Sequence, residues 1–384
     1  MFLRLGLTSF GGPVAHLGYF RDAFVERRRW VSDRAYADLV ALCQFLPGPA
    51  SSQVGMAIGL HRAGVAGLLA AWFAFTMPSA IVLVAFALGL ASFGDAVGTG
   101  WLHGLKAAAV AVVAQAVLGM AKSLTPDARR ATIAGAAMII VLLVPHAVVQ
   151  VTAILLGALV GLAWLHADHT DDGPRKDRAI RISRAMGMAS LIVFAALLAL
   201  LPVLAAVTGD PGVRLVDVFY RAGSLVFGGG HVVLPLLDAE TVQTGLVGHD
   251  TFLAGYGAAQ AVPGPLFTFS AFLGASTTTG PTGLVGAGIA LVAIFLPAAL
   301  LVIGVLPFWE RLRHVRSARR ALMGVNAAVV GILAAALYDP VFTQGITSPT
   351  ALALAVAVFL AQTTWNVPAW AAVLAAGMIG FAVL

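Results

Sequence analysis

The chain is poor in charged residues and nearly free of cysteine. Asp, Glu, Lys and Arg make up only 10% of its 384 residues, while 60% are hydrophobic. Average soluble domains are about 25% charged, so a soluble fold could not cover this much apolar surface. A lone cysteine, Cys43, excludes an internal disulfide and a cysteine-based metal cluster. The scattered histidines contain no H-x-x-x-H pair, and we expect no metal and no cofactor.

Long apolar runs occupy most of the chain. Residues 65–90, 102–120, 185–207 and 284–306 are apolar runs of this kind, and they approach or exceed the roughly 20 residues that cross a bilayer core. We therefore predict an all-α polytopic membrane protein, with the lipid bilayer as one of its partners.

Positive charge is concentrated between these runs. The net charge of +6 comes from clusters at residues 27–29, 129–130, 175–184 and 311–320. Lys and Arg resist translocation, so such clusters are typical of cytoplasmic loops. Nucleic-acid binding is not expected, because no soluble domain carries the clusters.

Two motifs occur twice, at nearly the same distance along the chain. Phe10-Gly11-Gly12 returns as Phe227-Gly228-Gly229, and the pattern Gln-x-x-Pro-Gly-Pro begins at Gln44 and again at Gln260. This repetition predicts four regions: a first transporter repeat (1–165), a polar cytoplasmic linker (166–184), an extra transmembrane span (185–208) and a second repeat (209–384).

The charges of matched loops predict that the second repeat is inverted. Residues 21–34 hold five arginines and three acids, whereas residues 238–250 hold three acids and no Lys or Arg. Matched loops on opposite sides of the membrane indicate inverted-topology repeats. Counting spans between cytoplasmic loops gives about nine full spans, with four broken or re-entrant segments meeting near the midplane.

These breaks are the predicted site. Non-helical backbone at membrane depth survives only inside protein or beside a water-filled cavity, and half-helices that begin there direct free amides at an anion. No Asp or Glu lies in the breaks, which favours an anion or a neutral solute. The candidate substrate-binding residues are Ser9, Gly11, Gly12, Gln44, Gly48, Ser51, Ser52, Gln53, Gly228, Gly229, Gly230, His231, Gln260, Gly264 and Thr268. The candidate sources of positive charge are Arg4, His16, Lys106 and Arg221.

The two halves differ at matched positions. Pro13-Val14 becomes Gly230-His231, and Ser51-Ser52 becomes Phe267-Thr268. We expect an asymmetric site that takes more hydroxyls from the first half and its histidine from the second.

Four segments resemble signatures of the chromate ion transporter family: FGGPVAH (10–16), RRRW (27–30), QFLPGPASSQ (44–53) and FGGGHVVLP (227–235). The resemblance covers both halves, as in the two-domain form. It implies a secondary transporter that exports chromate across the bacterial inner membrane and gives chromate resistance, with sulfate as a competing isostere. With this assignment, the N-terminus is expected in the cytoplasm and the C-terminus in the periplasm.

Other interpretations stay open. A sulfate or other oxyanion transporter fits the same features, and so does a passive anion channel, because re-entrant half-helices also build selectivity filters. An enzyme is disfavoured, because the breaks hold no acid and no His-acid pair for proton transfer. The oligomeric state is open, a homodimer included.

The individual features also have structural explanations. Pro-Gly-Pro can mark a packing kink, and paired glycines can serve close helix packing. His231 can bond a neighbouring carbonyl, Lys106 can extend to an interface, and Arg4 and Arg221 can anchor helices to headgroups.

Overall fold

The computed structural model describes residues 1–93, 100–144, 147–166, 182–227, 230–312 and 315–384. All regular structure within these ranges is helical, so the prediction of an all-α protein is confirmed. Five helices in them are long and apolar enough to cross a membrane: Ala50–Ser92, Gly100–Leu124, Arg184–Thr208, Gly283–Phe308 and Arg316–Gly345. The chain is therefore a multi-pass membrane protein.

The first half contains seven helices in the described residues. They are α1 (Phe2–Thr8), α2 (Gly12–Phe20), α3 (Asp33–Phe45), α4 (Ala50–Phe93), α5 (Gly100–Leu124), α6 (Ala128–Leu143) and α7 (Ala147–Trp164), with a π-helical stretch at Arg21–Arg27. Helix α4 is interrupted at Ala63 and Gly64, whose backbone angles are not helical. Its first part continues the broken segment, and its second part is a long apolar helix.

The second half begins after α8 (Arg184–Thr208), which occupies the segment predicted as an extra span. Its helices are α9 (Pro211–Leu225), α10 (Val233–Leu237), α11 (His249–Ala261), α12 (Phe269–Ala275), α13 (Gly283–Val305), α14 (Trp309–Leu312), α15 (Arg316–Ala336), α16 (Thr343–Gly345), α17 (Pro349–Thr363) and α18 (Ala369–Val383). Short 3₁₀ turns at Gly230–Val232, Leu266–Thr268 and Leu306–Phe308 and π-helical stretches at Asp238–Val242 and Leu337–Phe342 join them. Most of the predicted linker, residues 167–181, lies outside the described residues.

Local signals in the sequence fix where several helices begin. The side chains of Asp127, Ser183, Asp210 and Ser348 each accept a hydrogen bond from the backbone N–H three residues later. These bonds satisfy donors that have no partner inside the helix. Polar residues at the ends of apolar runs thus set the starts of α6, α8, α9 and α17.

The two halves interlock through their long helices. Helix α5 packs against α17 and α18, and α15 packs against α6 and α7. Glycine permits both close approaches: a Cβ on Gly104 would lie 3.1 Å from Cα of Gly380, and one on Gly324 would lie 2.8 Å from Cα of Gly161. Small residues at helix crossings are how membrane helices come into close contact. As a result, α17, near the end of the chain, lies beside α5. The inverted orientation of the halves stays a prediction.

Candidate functional site

Three of the four predicted breaks interrupt helical structure within the described residues. Helix α1 ends at Thr8 and α2 starts at Gly12, while α3 ends at Phe45 and α11 ends at Ala261. The glycines at these three breaks have positive φ angles: 95° at Gly11, 75° at Gly12, 116° at Gly48 and 100° at Gly264. Residues with a Cβ rarely adopt such angles, which explains why glycine occupies the breaks.

Two hydrogen bonds join the breaks of one half to those of the other. The backbone N–H of Gly48 donates to the carbonyl of Val226 at 2.7 Å, and the N–H of Gly264 donates to the carbonyl of Ser9 at 2.8 Å. Ser9 and Val226 follow the ends of α1 and α9 at matched positions. Each Pro-Gly-Pro break is therefore completed by the Phe-Gly-Gly break of the opposite half, and the four breaks meet in one region.

The first-half side chains near this meeting point are enclosed and largely bonded to one another. His16 is 1% exposed. Its Nε2 lies 3.1 Å from the carbonyl oxygen of Ser9, and its Nδ1 lies 3.3 Å from Oγ of Ser51. A carbonyl only accepts, so Nε2 carries the proton and the Ser51 hydroxyl donates to Nδ1. Gln53 donates from Nε2 to the carbonyl of Pro47 at 2.8 Å.

A cavity of about 430 Å³ lies beside the breaks of the second half, and His231, Gln260 and Gly264 form part of its wall. Helix α2 begins at this wall and the 3₁₀ turn that leads into α12 begins there as well, so the positive end of the α2 dipole lies at the cavity. The wall is formed by Gly11, Gly12, Pro13, Val112, Gln115, Ala116, Gly119, His231, Ala259, Gln260, Val262, Gly264, Leu266, Gln362, Asn366, Val367, Pro368 and Ala369. None of these residues is an acid.

His231 and Gln260 both line the cavity. Nδ1 of His231 lies 2.8 Å from the hydroxyl of Tyr256, which lies on α11 four residues before Gln260. Nε2 of Gln260 is buried and has no hydrogen-bond partner in the described residues. The Gln260 N–H₂ group is therefore left without a protein acceptor.

Five of the predicted substrate-binding residues line this cavity together: Gly11, Gly12, His231, Gln260 and Gly264. Gly230 lies close behind them, since a Cβ there would be 3.5 Å from Leu266 and 3.7 Å from Pro13. Gly228 and Gly229 lie outside the described residues.

The remaining predicted residues lie elsewhere. Gln44 is exposed, whereas Ser9, Gly48, Ser51, Ser52, Gln53 and Thr268 are buried in the packing around the breaks. Thr268, for example, donates from Oγ1 to the carbonyl of Pro265 at 2.8 Å. The structure thus divides the predicted set into cavity residues and residues that hold the breaks together.

The four predicted sources of positive charge are not in the cavity wall. Arg4 is exposed and His16 is enclosed as described above. Arg221 is paired with Asp217 at 2.8 Å and with Glu240 at 2.9 Å. Lys106 is 4% exposed and its ammonium lies 2.6 Å from the carboxylate of Asp250. Two of the four cations are therefore already neutralised by acids of the second half.

Three amide side chains outside the predicted set complete the wall. Gln115 lies on α5, Gln362 lies in the last turn of α17, and Asn366 lies in the turn before α18. Asn366 is exposed, so the cavity opens beside that turn, while Gln362 is buried. The sequence offers one signal for Gln362: it is a single glutamine that follows an unbroken apolar run at 351–361. Buried polar groups in a membrane are costly and often functional, so such a residue is a candidate for the site.

Comparison with known proteins identifies relatives along nearly the whole chain. The family model described as "Chromate transporter" matches residues 1–162 and 213–381. The "Chromate transport protein" of Pseudomonas aeruginosa is 30% identical over 347 residues, covering 88% of this chain and 79% of that protein. The protein of the same description from Cupriavidus metallidurans is 26% identical over 370 residues, covering 94% of this chain and 86% of the relative.

A third relative, the "Probable chromate transport protein" of Synechococcus elongatus, is 29% identical over 350 residues, which are 88% of this chain and 82% of the relative. No solved structure matches the chain. The similarity therefore rests on sequence, and the geometry of the cavity comes from this structure alone.

Proposed function

This chain belongs to the chromate transporter family, and we propose that it exports chromate across the bacterial inner membrane as a secondary transporter and so gives chromate resistance. The observation that carries the proposal is the cavity at the joined breaks. It combines the N-terminal end of α2 with amide side chains, without an acid in its wall. Such donors suit a tetrahedral oxyanion, whose oxygens accept hydrogen bonds.

The proposed binding residues are the five that line the cavity, with the other predicted residues supporting the breaks. The proposed topology has two inverted repeats, a cytoplasmic N-terminus and a periplasmic C-terminus. The family match supports a two-part chain, because it covers residues 1–162 and 213–381 and omits the stretch that contains all of α8.

Direction of transport tests the proposal most directly. Radiolabelled chromate is added to inverted and to right-side-out membrane vesicles from cells that express the protein, with vesicles lacking it as the control. Export predicts protein-dependent accumulation in inverted vesicles, together with lower chromate content and better survival of the expressing cells. Equal chromate content in expressing and control cells would contradict export.

Sulfate transport is the second candidate. Sulfate is also a tetrahedral dianion, and amide donors offer little to distinguish the two ions. Competition in the same vesicles measures this: unlabelled sulfate reduces chromate uptake if both ions use the cavity. Labelled sulfate that accumulates where chromate does not would make sulfate the substrate. A passive anion channel would instead give currents that reverse at the Nernst potential of the anion.

A further inference from the structure

Gln362 is a buried polar side chain with no partner in the described part of the chain. It is 3% exposed, and neither its Nε2 nor its Oε1 has a hydrogen-bond partner. Leaving a buried amide unpaired is costly, because its hydrogen bonds with water are lost and not replaced. The preceding residues of α17 are apolar from 351 to 361, so the helix does not need a glutamine for its own packing. A ligand that pairs with the amide would account for its presence.

The packing of the two halves fixes where this amide lies. Helix α17 lies against α5, and α18 is held close to α5 at Gly104 and Gly380. This packing brings Gln362 into the same cavity wall as residues of the breaks. It is placed by long-range packing, and it lies outside both repeated motifs.

Other amides occupy the same wall. Gln260 has an unpartnered Nε2, and Gln115 and Asn366 also line the cavity. Asn366 has a φ of 54°, a left-handed conformation that Asn tolerates better than other residues with a Cβ. Strained backbone of this kind occurs often at functional sites. Four carboxamides thus surround one cavity.

The chemistry of this wall selects a class of ligand. Carboxamide N–H groups donate to anionic oxygens, and hydrogen bonds to a charged partner are stronger than those between neutral groups. The cavity of about 430 Å³ exceeds the share of one water, roughly 30 Å³, by enough for a five-atom oxyanion with some of its water. The absence of acids from the wall removes like-charge repulsion.

We propose that Gln362 is a direct ligand of the transported oxyanion and, with Gln260, determines its affinity. This inference rests on the proposed function and adds a binding residue from α17 to it. The corresponding end of α6 and the segment that follows, residues 139–147, contain no glutamine or asparagine. Gln150, in the first half, is also buried, but its Nε2 donates to the carbonyl of Pro235 at 3.3 Å and it does not line the cavity. The amide ligand of α17 is thus specific to the second half.

Binding to purified protein in lipid nanodiscs tests the assignment, with sodium chromate and sodium sulfate as separate probes. Gln362→Met keeps the length of the side chain and removes both hydrogen-bonding groups. We expect the Kd for the transported ion to rise roughly 10- to 100-fold, as for loss of a hydrogen bond to a charged group. The matched control is Gln150→Met, which changes a buried glutamine outside the cavity and is expected to leave the Kd within about twofold.

Thermal stability gives a second measurement that a purely structural glutamine would not reproduce. Gln362→Met removes an unpaired buried amide, so the ligand-free variant is expected to unfold at a higher temperature than the wild type. The rise in unfolding temperature on adding the anion is expected to shrink, because ligand stabilisation follows affinity. A structural role predicts the reverse: a less stable variant with unchanged anion binding.

Gln362→Glu supplies an independent variant, since it places a carboxylate in the wall and is expected to abolish anion binding at neutral pH. If the wild type binds an anion and Gln362→Met binds it equally well, the assignment of Gln362 is overturned while the proposed function survives. If the wild type binds neither chromate nor sulfate, the proposed function itself fails, and the assignment of Gln362 fails with it.

Discussion

The two Pro-Gly-Pro breaks share a backbone geometry and differ in what surrounds them. In the first half, His16, Ser51 and Gln53 are bonded within the packing of the break. In the second half, Gln260 and His231 lie in the wall of a cavity. The repeated backbone therefore serves two purposes: one copy is filled by its own side chains, and the other leaves space for a solute. Similar motifs do not by themselves give similar sites.

The largest expected effect comes from the glycines of the two breaks. In Gly264→Ala, the new Cβ would contact Oγ of Ser79 and lie 3.5 Å from the carbonyl oxygens of Gly6 and Phe75, at a φ of 100°. Left-handed strain and overpacking together give about 2–4 kcal/mol of destabilisation. In Gly48→Ala the nearest atom, Nε2 of Gln53, lies 3.0 Å from the new Cβ, which is a milder approach than the one at Gly264, so about 1–2 kcal/mol is expected. Unfolding of both variants in detergent measures the difference, and a more damaging Gly48→Ala would contradict this comparison of the halves.

The two motif glutamines should differ next. Gln260→Met removes a donor at the cavity and is expected to raise the KM for chromate in vesicles about 10- to 100-fold, since a hydrogen bond to a charged group contributes about 1.5–3 kcal/mol. Gln44 is exposed and outside the cavity wall, so Gln44→Met is expected to change the KM by about twofold at most. Equal losses in both variants would mean that the first-half break also binds the ion.

A smaller effect is expected at the ion pair that joins Lys106 of the first half to Asp250 of the second. Lys106 is 4% exposed, while its partner Asp250 is 77% exposed. Asn326, which takes the place of Lys106 when residues 102–108 are aligned with residues 322–328, carries no charge. Asp250→Asn leaves a buried ammonium without a counter-charge and is expected to cost about 1–2 kcal/mol, less than for a fully buried pair. Lys106→Met removes the buried charge and is expected to be nearly neutral. We therefore expect Asp250→Asn to unfold at a lower temperature than Lys106→Met, and the opposite order would contradict this account of the ion pair.

The smallest effect is expected at Ser51. Ser51→Ala removes the donor to Nδ1 of His16, 3.3 Å away, and should cost about 0.5–1.5 kcal/mol of stability. Chromate affinity should stay within about twofold, because Ser51 does not line the cavity. Reduced chromate affinity at unchanged stability would mean that the first-half hydroxyls also bind the ion.

The sequence predicted the breaks well and the site only in part. Glycine at positive φ and proline inside apolar helices leave a local signature, and the repetition of both motifs made the breaks recognisable. Gln362 leaves no such signature, because its place in the wall depends on packing between α17 and α5, which are far apart in the chain. The ion pair of Lys106 could not be predicted from the sequence for the same reason, because its partner, Asp250, follows 144 residues later.

Charge was the least predictable property of the site. Arg221 has two acidic partners within its own half. Asp217 lies four residues earlier on α9, a spacing that the sequence shows, whereas the pairing with Glu240 depends on how α9 meets the π-helical stretch at Asp238–Val242. Composition shows that a cation is present and does not show whether an acid already neutralises it. An estimate of site charge from sequence therefore needs the tertiary partners of each cation.

The crossed hydrogen bonds between the breaks also set an order for biogenesis. The N–H of Gly48 is bonded to Val226, a residue made much later. At ribosomal speeds of about 5–20 residues per second, this donor waits on the order of ten seconds or more for its acceptor, and an unpaired N–H is costly in lipid. We expect the first break to stay out of the lipid core until the second half arrives, and a chain released by a ribosome that stalls between the halves lacks the acceptor for Gly48.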